Sequence, residues 1–137
     1  MKIFKKKQIA TIYSRCLNLV RRKPAEFVLF KKLRCYGICD YENDVLEIDH
    51  RKDMLRTAYH ECVHYLYPDW SETQVLYAES RLINNTTILE NARFLKHLSI
   101  KLYKSALQQS LKMHRKKRAK RSTKNETRNS RSGRKRR

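Results

Sequence analysis

Two histidines four residues apart on a helix project to the same side. There their ring nitrogens can converge on one metal ion at about 2.0–2.1 Å. His60-Glu61-Cys62-Val63-His64 has that HExxH spacing. Glu61, next to the first imidazole, supplies a carboxylate able to hold a water and take its proton. A hydrolytic metal centre of this kind needs a third protein ligand and one open position. The next histidines, His97 and His114, lie far off in the basic C-terminal part. Two acids beyond the motif are candidates, Glu72 and Glu79. After a short reversal, the start of a returning helix lies closest to His64, which favours Glu72. Glu72 could equally be a first-turn acid complementing its helix dipole. Glu79, two turns further on the same face, is the alternative, and water or another group is the third.

These residues need elements to hold them. Ile9, Ile12, Tyr13, Cys16, Leu17 and Val20 recur at helical spacing and predict a first amphipathic helix ending near residues 21–24, at Pro24. A short apolar run, 27–30, reads as strand, and Tyr36, Ile38 and Tyr41 belong to a second strand. Glu42-Asn43-Asp44 has the chemistry of a tight turn, and residues 45–49 return as the other arm of a hairpin. Residues 53–67 form the motif helix, stopped at Pro68-Asp69-Trp70. Ser71 with Gln74 and Thr87 with Glu90 are capping boxes, opening a helix from 71 to about 84 and a long one from 87. The fold class expected is α+β.

Charge divides the chain further. Residues 1–39 carry 11 basic residues and one acid, residues 40–90 carry 4 and 11, residues 91–111 add +4, and residues 112–137 carry 14 and one. The segment holding the motif is therefore net acidic within a chain of net charge +20. After Met113 no aliphatic residue is larger than Ala119, so residues 112–137 are expected to be a disordered basic tail behind a domain of residues 1–111. Its cations, among them Arg115, Lys116, Lys117, Arg118, Lys120, Arg121, Arg134, Lys135, Arg136 and Arg137, suit non-specific contact with DNA or RNA through counterion release. No base-reading motif accompanies them.

Other classes are excluded. Gly37 and Gly133 are the only glycines, too few for a glycine-rich phosphate loop. No apolar run approaches the roughly 20 residues that cross a bilayer, and the basic start lacks a secretory signal's apolar core. The expectation is a cytoplasmic protein without membrane partners, its four cysteines reduced. Cys35 and Cys39 lie in an apolar strand region with no second pair, so they read as core thiols, and Cys62 as packing. Trp70 reads as an apolar plug at a turn, and His50 as a surface histidine.

IDHRKDMLRTAYHECVHYLYPDWSETQV, residues 48–75, resembles the active-site segment of zincin metallopeptidases, specifically the small phage-type and SprT-like metalloproteases. The likeness covers roughly residues 36–90 and is most specific over 60–72. It implies a minimal zincin-like domain, with an N-terminal helix and a small antiparallel sheet ahead of the HExxH helix. It further implies Zn2+ held by His60, His64 and, in gluzincin fashion, Glu72, with Glu61 as general base and acid in peptide-bond hydrolysis. The glycine and third histidine of the metzincin pattern are absent, as is the later histidine of true SprT proteins. By the same likeness the strand 45–49 would be the edge that pairs with an extended substrate. A phenol could stabilise an oxyanion, with Tyr59, Tyr65, Tyr67 and Tyr77 near in sequence. The reading is a zinc metalloprotease held near nucleic acid by its tail. The alternative is a non-catalytic nucleic-acid-binding protein with a structural or degenerate zinc site.

Overall fold

A computed structural model describes residues 5–132, with side chains described except for Phe30 and residues 120–132. The described residues form an α+β fold of four α-helices and one three-stranded sheet. The elements are α1 (Lys6–Arg22), a 3-10 turn (Ala25–Phe27), β1 (Val28–Phe30), β2 (Gly37–Asp40), β3 (Val45–Ile48), α2 (Met54–Leu66), α3 (Glu72–Asn85) and α4 (Ile88–Ser132). It divides into two units, Met1–Ser105 and Ala106–Arg137.

Helix α2 is the centre of the first unit. It packs against β2 and β3 on one side and against α1 and α3 on the others. Thr57, Ala58, Tyr59, Glu61, Cys62 and Val63 are all buried, while His60 and His64 are half-buried. The periodic residues of α1 are buried as the spacing predicts. They share a core with Val28, Leu46, Ile48, Val75, Ala78, Leu82, Phe94, Leu98 and Leu102. Full burial of each large apolar side chain contributes roughly 1.5–3 kcal/mol. Tyr59 stacks on Phe94 at 4.4 Å between ring centroids, and its hydroxyl donates to Asn91 Oδ1 at 2.9 Å. This fixes the start of α4 against the back of the motif helix. Both capping boxes form: Gln74 N donates to Ser71 Oγ at 3.4 Å and Glu90 N to Thr87 Oγ1 at 3.2 Å.

The sheet corrects two expectations. Its order is β1-β3-β2, with β2 antiparallel to β3 but β1 parallel to it, so it is mixed rather than antiparallel. A hairpin signal specifies only the β2–β3 pair; the crossing from β1 to β2 through residues 31–36 puts β3 in the middle. The strand 45–49 therefore has partners on both sides and is no edge. β2, in register Gly37 to Ile48 and Asp40 to Val45, is the free strand beside α2. Asp44 closes the hairpin at φ 54°, a left-handed conformation that Asp tolerates.

Asp49 ties this sheet to the entrance of α2. Its carboxylate is fully buried and accepts from Leu33 N at 3.0 Å, Arg51 N at 3.1 Å and Arg51 Nε at 2.8 Å, while its own N–H donates to Tyr36 O at 2.9 Å. Above all the Arg51 guanidinium, together with the backbone donors, holds this carboxyl well below the usual carboxylate range. A group depressed in the folded state stabilises fully above its unfolded pKa of about 3.9 and progressively less as pH falls toward the folded value. Asp49→Asn is expected to lower the melting temperature at neutral pH by roughly 5–10 °C. It should also flatten the acid limb of stability below about pH 4. Melting curves from pH 2 to 7 check this, and an unchanged acid limb would contradict it.

α4 continues through residue 112, where the tail was expected to begin, and is helical to Ser132. Lys, Arg and Ala are good helix formers, and no Gly or Pro interrupts the run before Gly133. Residues 111–119 are exposed, Leu111 and Met113 included, and beyond Met113 this stretch has no apolar residue larger than Ala119 to bury.

Candidate metal centre

A cleft of about 770 Å³ opens between β2, α2 and α3, and His60, Glu61, His64, Glu72 and Glu79 all line it. Four-residue spacing puts the two imidazoles side by side, 4.8 Å between ring centroids. Glu72 is the first residue of α3, and its carboxylate spans both: Oε1 is 3.3 Å from His60 Nε2, and Oε2 is 3.0 Å from His64 Nε2. One ligand atom from each of His60, His64 and Glu72 lies within 4.8 Å of the others. The reversal at residues 67–70, closed by a hydrogen bond from Trp70 N to Tyr67 O at 3.0 Å, delivers Glu72 to this place.

Glu79 reaches the same histidine from its other nitrogen. Its buried carboxylate meets His60 Nδ1 at 2.9 Å through Oε2 and accepts from Arg56 Nη1 at 2.8 Å through Oε1. Assigning the imidazole proton to Nδ1, the nitrogen facing Glu79, leaves Nε2 with a lone pair aimed at Glu72. A lone pair and a carboxylate oxygen at 3.3 Å need a cation between them, either a proton or a metal. Two imidazoles, one carboxylate and a further carboxylate fixing the tautomer make a donor set that fits zinc. The two acids thus have separate places: Glu72 joins the cluster, and Glu79 orients His60.

Glu61 faces β2 from the floor of the cleft and is only 5% exposed. Burial pushes its carboxyl up to about 7; His60 pulls it down, and the charges of Glu72 and Glu79 push it up again. The strand's glycine is what admits it. A Cβ at Gly37 would lie 2.6 Å from Glu61 Oε1, 2.7 Å from Thr57 Cγ2 and 2.9 Å from Glu61 Cγ, all closer than real Cβ contacts. Gly37 is a site residue that sequence reasoning treated only as a count. An isolated glycine within a strand pattern signals a close approach of this kind.

The aromatic and thiol expectations change. None of Tyr59, Tyr65, Tyr67 and Tyr77 lines the cleft; Tyr36 and Tyr41, on either side of β2, do. Tyr59 is wholly buried, Tyr65 donates to Asp44 Oδ1 at 2.6 Å, and Tyr67 accepts from Arg15 Nη1 at 3.1 Å. Tyr41 donates to His64 O at 2.6 Å and stacks with Tyr65, fastening the hairpin over the C-terminal end of α2. Cys35 is exposed and lines the cleft rather than the core, whereas half-buried Cys39 lines the cleft and also packs against the core. Burial pushes the Cys39 thiol up to about 11, which keeps it protonated. Cys16 and Cys62 are buried, Cys62 as packing behind the histidines, and all four cysteines are free thiols.

Of the expected nucleic-acid contacts, Arg115, Lys116, Lys117 and Arg118 are exposed on α4. Lys120 and Arg121 lie on the same helix, and Arg134, Lys135, Arg136 and Arg137 lie outside the described residues. Among the described residues no helix is long and apolar enough to cross a membrane. No protein-family model matches the chain, and no match was found to a curated protein or to a solved structure.

Proposed function

We propose that the chain is a zinc-dependent metallopeptidase of gluzincin type that works close to DNA or RNA. The observation that carries this reading is the joint placement of His60, His64 and Glu72 around one point, with Glu61 beside them on the cleft floor. His60 and His64 would hold zinc through Nε2 and Glu72 through its carboxylate, while Glu79, itself held by Arg56, keeps the His60 ring in the required tautomer. Zinc held there would supply Lewis-acid polarisation of a carbonyl and would make a water more acidic. Glu61 takes the proton from that water and returns it to the leaving amine. Its raised affinity for protons, caused by burial, suits both halves of the transfer. β2, the free edge beside the cleft, offers backbone groups to an extended substrate segment. Tyr36 and Tyr41 are the phenols within the cleft.

The basic flanks favour a polyanion, while the acidic stretch 40–90 keeps a phosphate backbone away from the cleft. The zinc-loaded chain is expected to cleave an unfolded protein such as casein, to lose that activity on chelation and to regain it with zinc. Deletion of residues 112–137 should leave cleavage of free casein unchanged, weaken DNA or RNA binding, and reduce the salt dependence of binding by several counterions. A zinc-loaded chain that cleaves no unfolded protein contradicts the peptidase reading, and unchanged binding after the deletion removes the tail from it.

A further inference from the structure

Where α1 meets the first half of α4, basic side chains gather from both helices. Tyr13 of α1 donates its hydroxyl to Glu90 O at 2.9 Å, and Lys101 Nζ donates to Lys23 O at the C-cap of α1. The two contacts join residues 77 and 78 positions apart, so the helices run in the same direction here. Arg93, His97, Lys101 and Lys104 follow one another at intervals of four, four and three and form one ridge along α4. Arg21, Arg93, Lys96 and Lys104 are exposed, and His97 and Lys101 are half-buried. His97 is the centre of the group. Burial lowers its pKa, and Arg21 from α1 with Lys96, Lys101 and Arg93 from α4 lower it further. Glu26 faces the Lys101 end, and Glu90 faces the Arg93 end, where its carboxylate accepts from Thr87 N at 2.7 Å. Five permanent cations thus line roughly 16 Å of helix.

We infer that this ridge is a nucleic-acid contact, in which Arg21, Arg93, Lys96 and Lys104 meet phosphates of one backbone and His97 adds a further donor between them. Lys101 stays with the C-cap of α1 and contributes charge. An open ridge gives a small anion few partners, whereas a backbone with a charge every 3.4 Å or so along each strand can follow its whole length. Such contacts respond to charge alone, so a duplex should bind at least as tightly as a single strand. The imidazole is largely neutral in the free chain at pH 7, because burial and its cationic neighbours oppose protonation. A phosphate beside it favours the imidazolium, so binding takes up a proton and tightens as pH falls. The inference rests on the reading of the chain as one that works at nucleic acid, and it places a contact in the first unit itself, apart from the basic C-terminal residues.

Proton NMR of the full chain reads the site directly. The ring signals of His97, assigned through His97→Gln, would be titrated with and without a mixed-sequence DNA duplex. Its pKa is expected to rise by about one unit on binding. By anisotropy of the labelled duplex, Arg21→Ala combined with Lys96→Ala should weaken binding about tenfold and lower the salt slope by about two. Removing the same charge from Lys6 and Lys7, exposed at the other end of α1, should leave both values near wild type. Tight binding with an unmoved His97, or equal effects of the two double variants, would overturn the ridge and leave binding to the C-terminal cations. An equal His97 shift with phosphatidylglycerol vesicles would reassign the ridge to a lipid surface, and with polyglutamate to an acidic protein. A chain that binds no duplex at all would overturn the nucleic-acid reading itself.

Discussion

Glu61→Gln is expected to keep one zinc per chain and to lose about a thousandfold in hydrolysis. Glutamine matches glutamate in volume and fills the same space beneath β2, but it cannot accept a proton. The carboxylate stands outside the group formed by His60, His64 and Glu72, so its loss leaves the donor set whole. Burial already makes ionisation of this group costly, so the variant should be at least as stable as the wild type. Zinc content, melting temperature and cleavage rate on one preparation check the three statements together. A non-catalytic zinc site has no use for Glu61, and there the substitution would change little beyond stability. Parallel loss of zinc and activity would make Glu61 part of the metal-holding structure instead of the base.

The second large effect comes from a residue with no side chain. Gly37→Ala should lower hydrolysis about a hundredfold with zinc retained, because displacing a catalytic group by about 1 Å can cost that much. The added methyl group meets the Glu61 carboxylate and Thr57 at 2.6–2.7 Å, and Glu61 Cγ at 2.9 Å. Rotating the carboxyl tip alone does not relieve a clash at Cγ, so either Glu61 leaves its place or β2 moves off α2. The strand itself does not suffer, since alanine is no worse than glycine in a strand. Kinetics beside zinc analysis separate displacement of the base from collapse of the centre. Full activity in Gly37→Ala would show that the close approach of strand and helix does not set the position of Glu61.

Much of the scaffold is legible in the residues. The 3.6-residue spacing of Ile9 through Val20, the boxes at Ser71 and Thr87, and the turn at residues 42–44 are local signals, and local signals fix local structure. The pairing of His60 with His64 is likewise a property of one helix. What needed the fold was everything that depends on how elements meet. Glu72 and Glu79 share a face of α3, and only the approach of α3 to α2 assigns one to the Nε2 side and the other to Nδ1 of His60. A hairpin signal could not show that β1 would pair parallel to β3 and put β3 in the middle of the sheet. The tyrosines near the motif in sequence point elsewhere because helical rotation carries neighbours to other faces. Tyr41, 23 residues before His64, reaches it across the hairpin. Cys35 reads as core in an apolar stretch, yet it lies on the cleft rim where the chain turns into β2.

The most direct measurement is metal content by elemental analysis of the purified chain beside His60→Ala, Glu72→Ala and Glu79→Ala. The account predicts one zinc per chain in the wild type and loss in His60→Ala and Glu72→Ala. Glu79→Ala should still bind zinc, about 10- to 100-fold more weakly. A folded wild-type chain that takes up no zinc when zinc is supplied, or a Glu72→Ala variant that holds it as tightly as the wild type, would contradict the account.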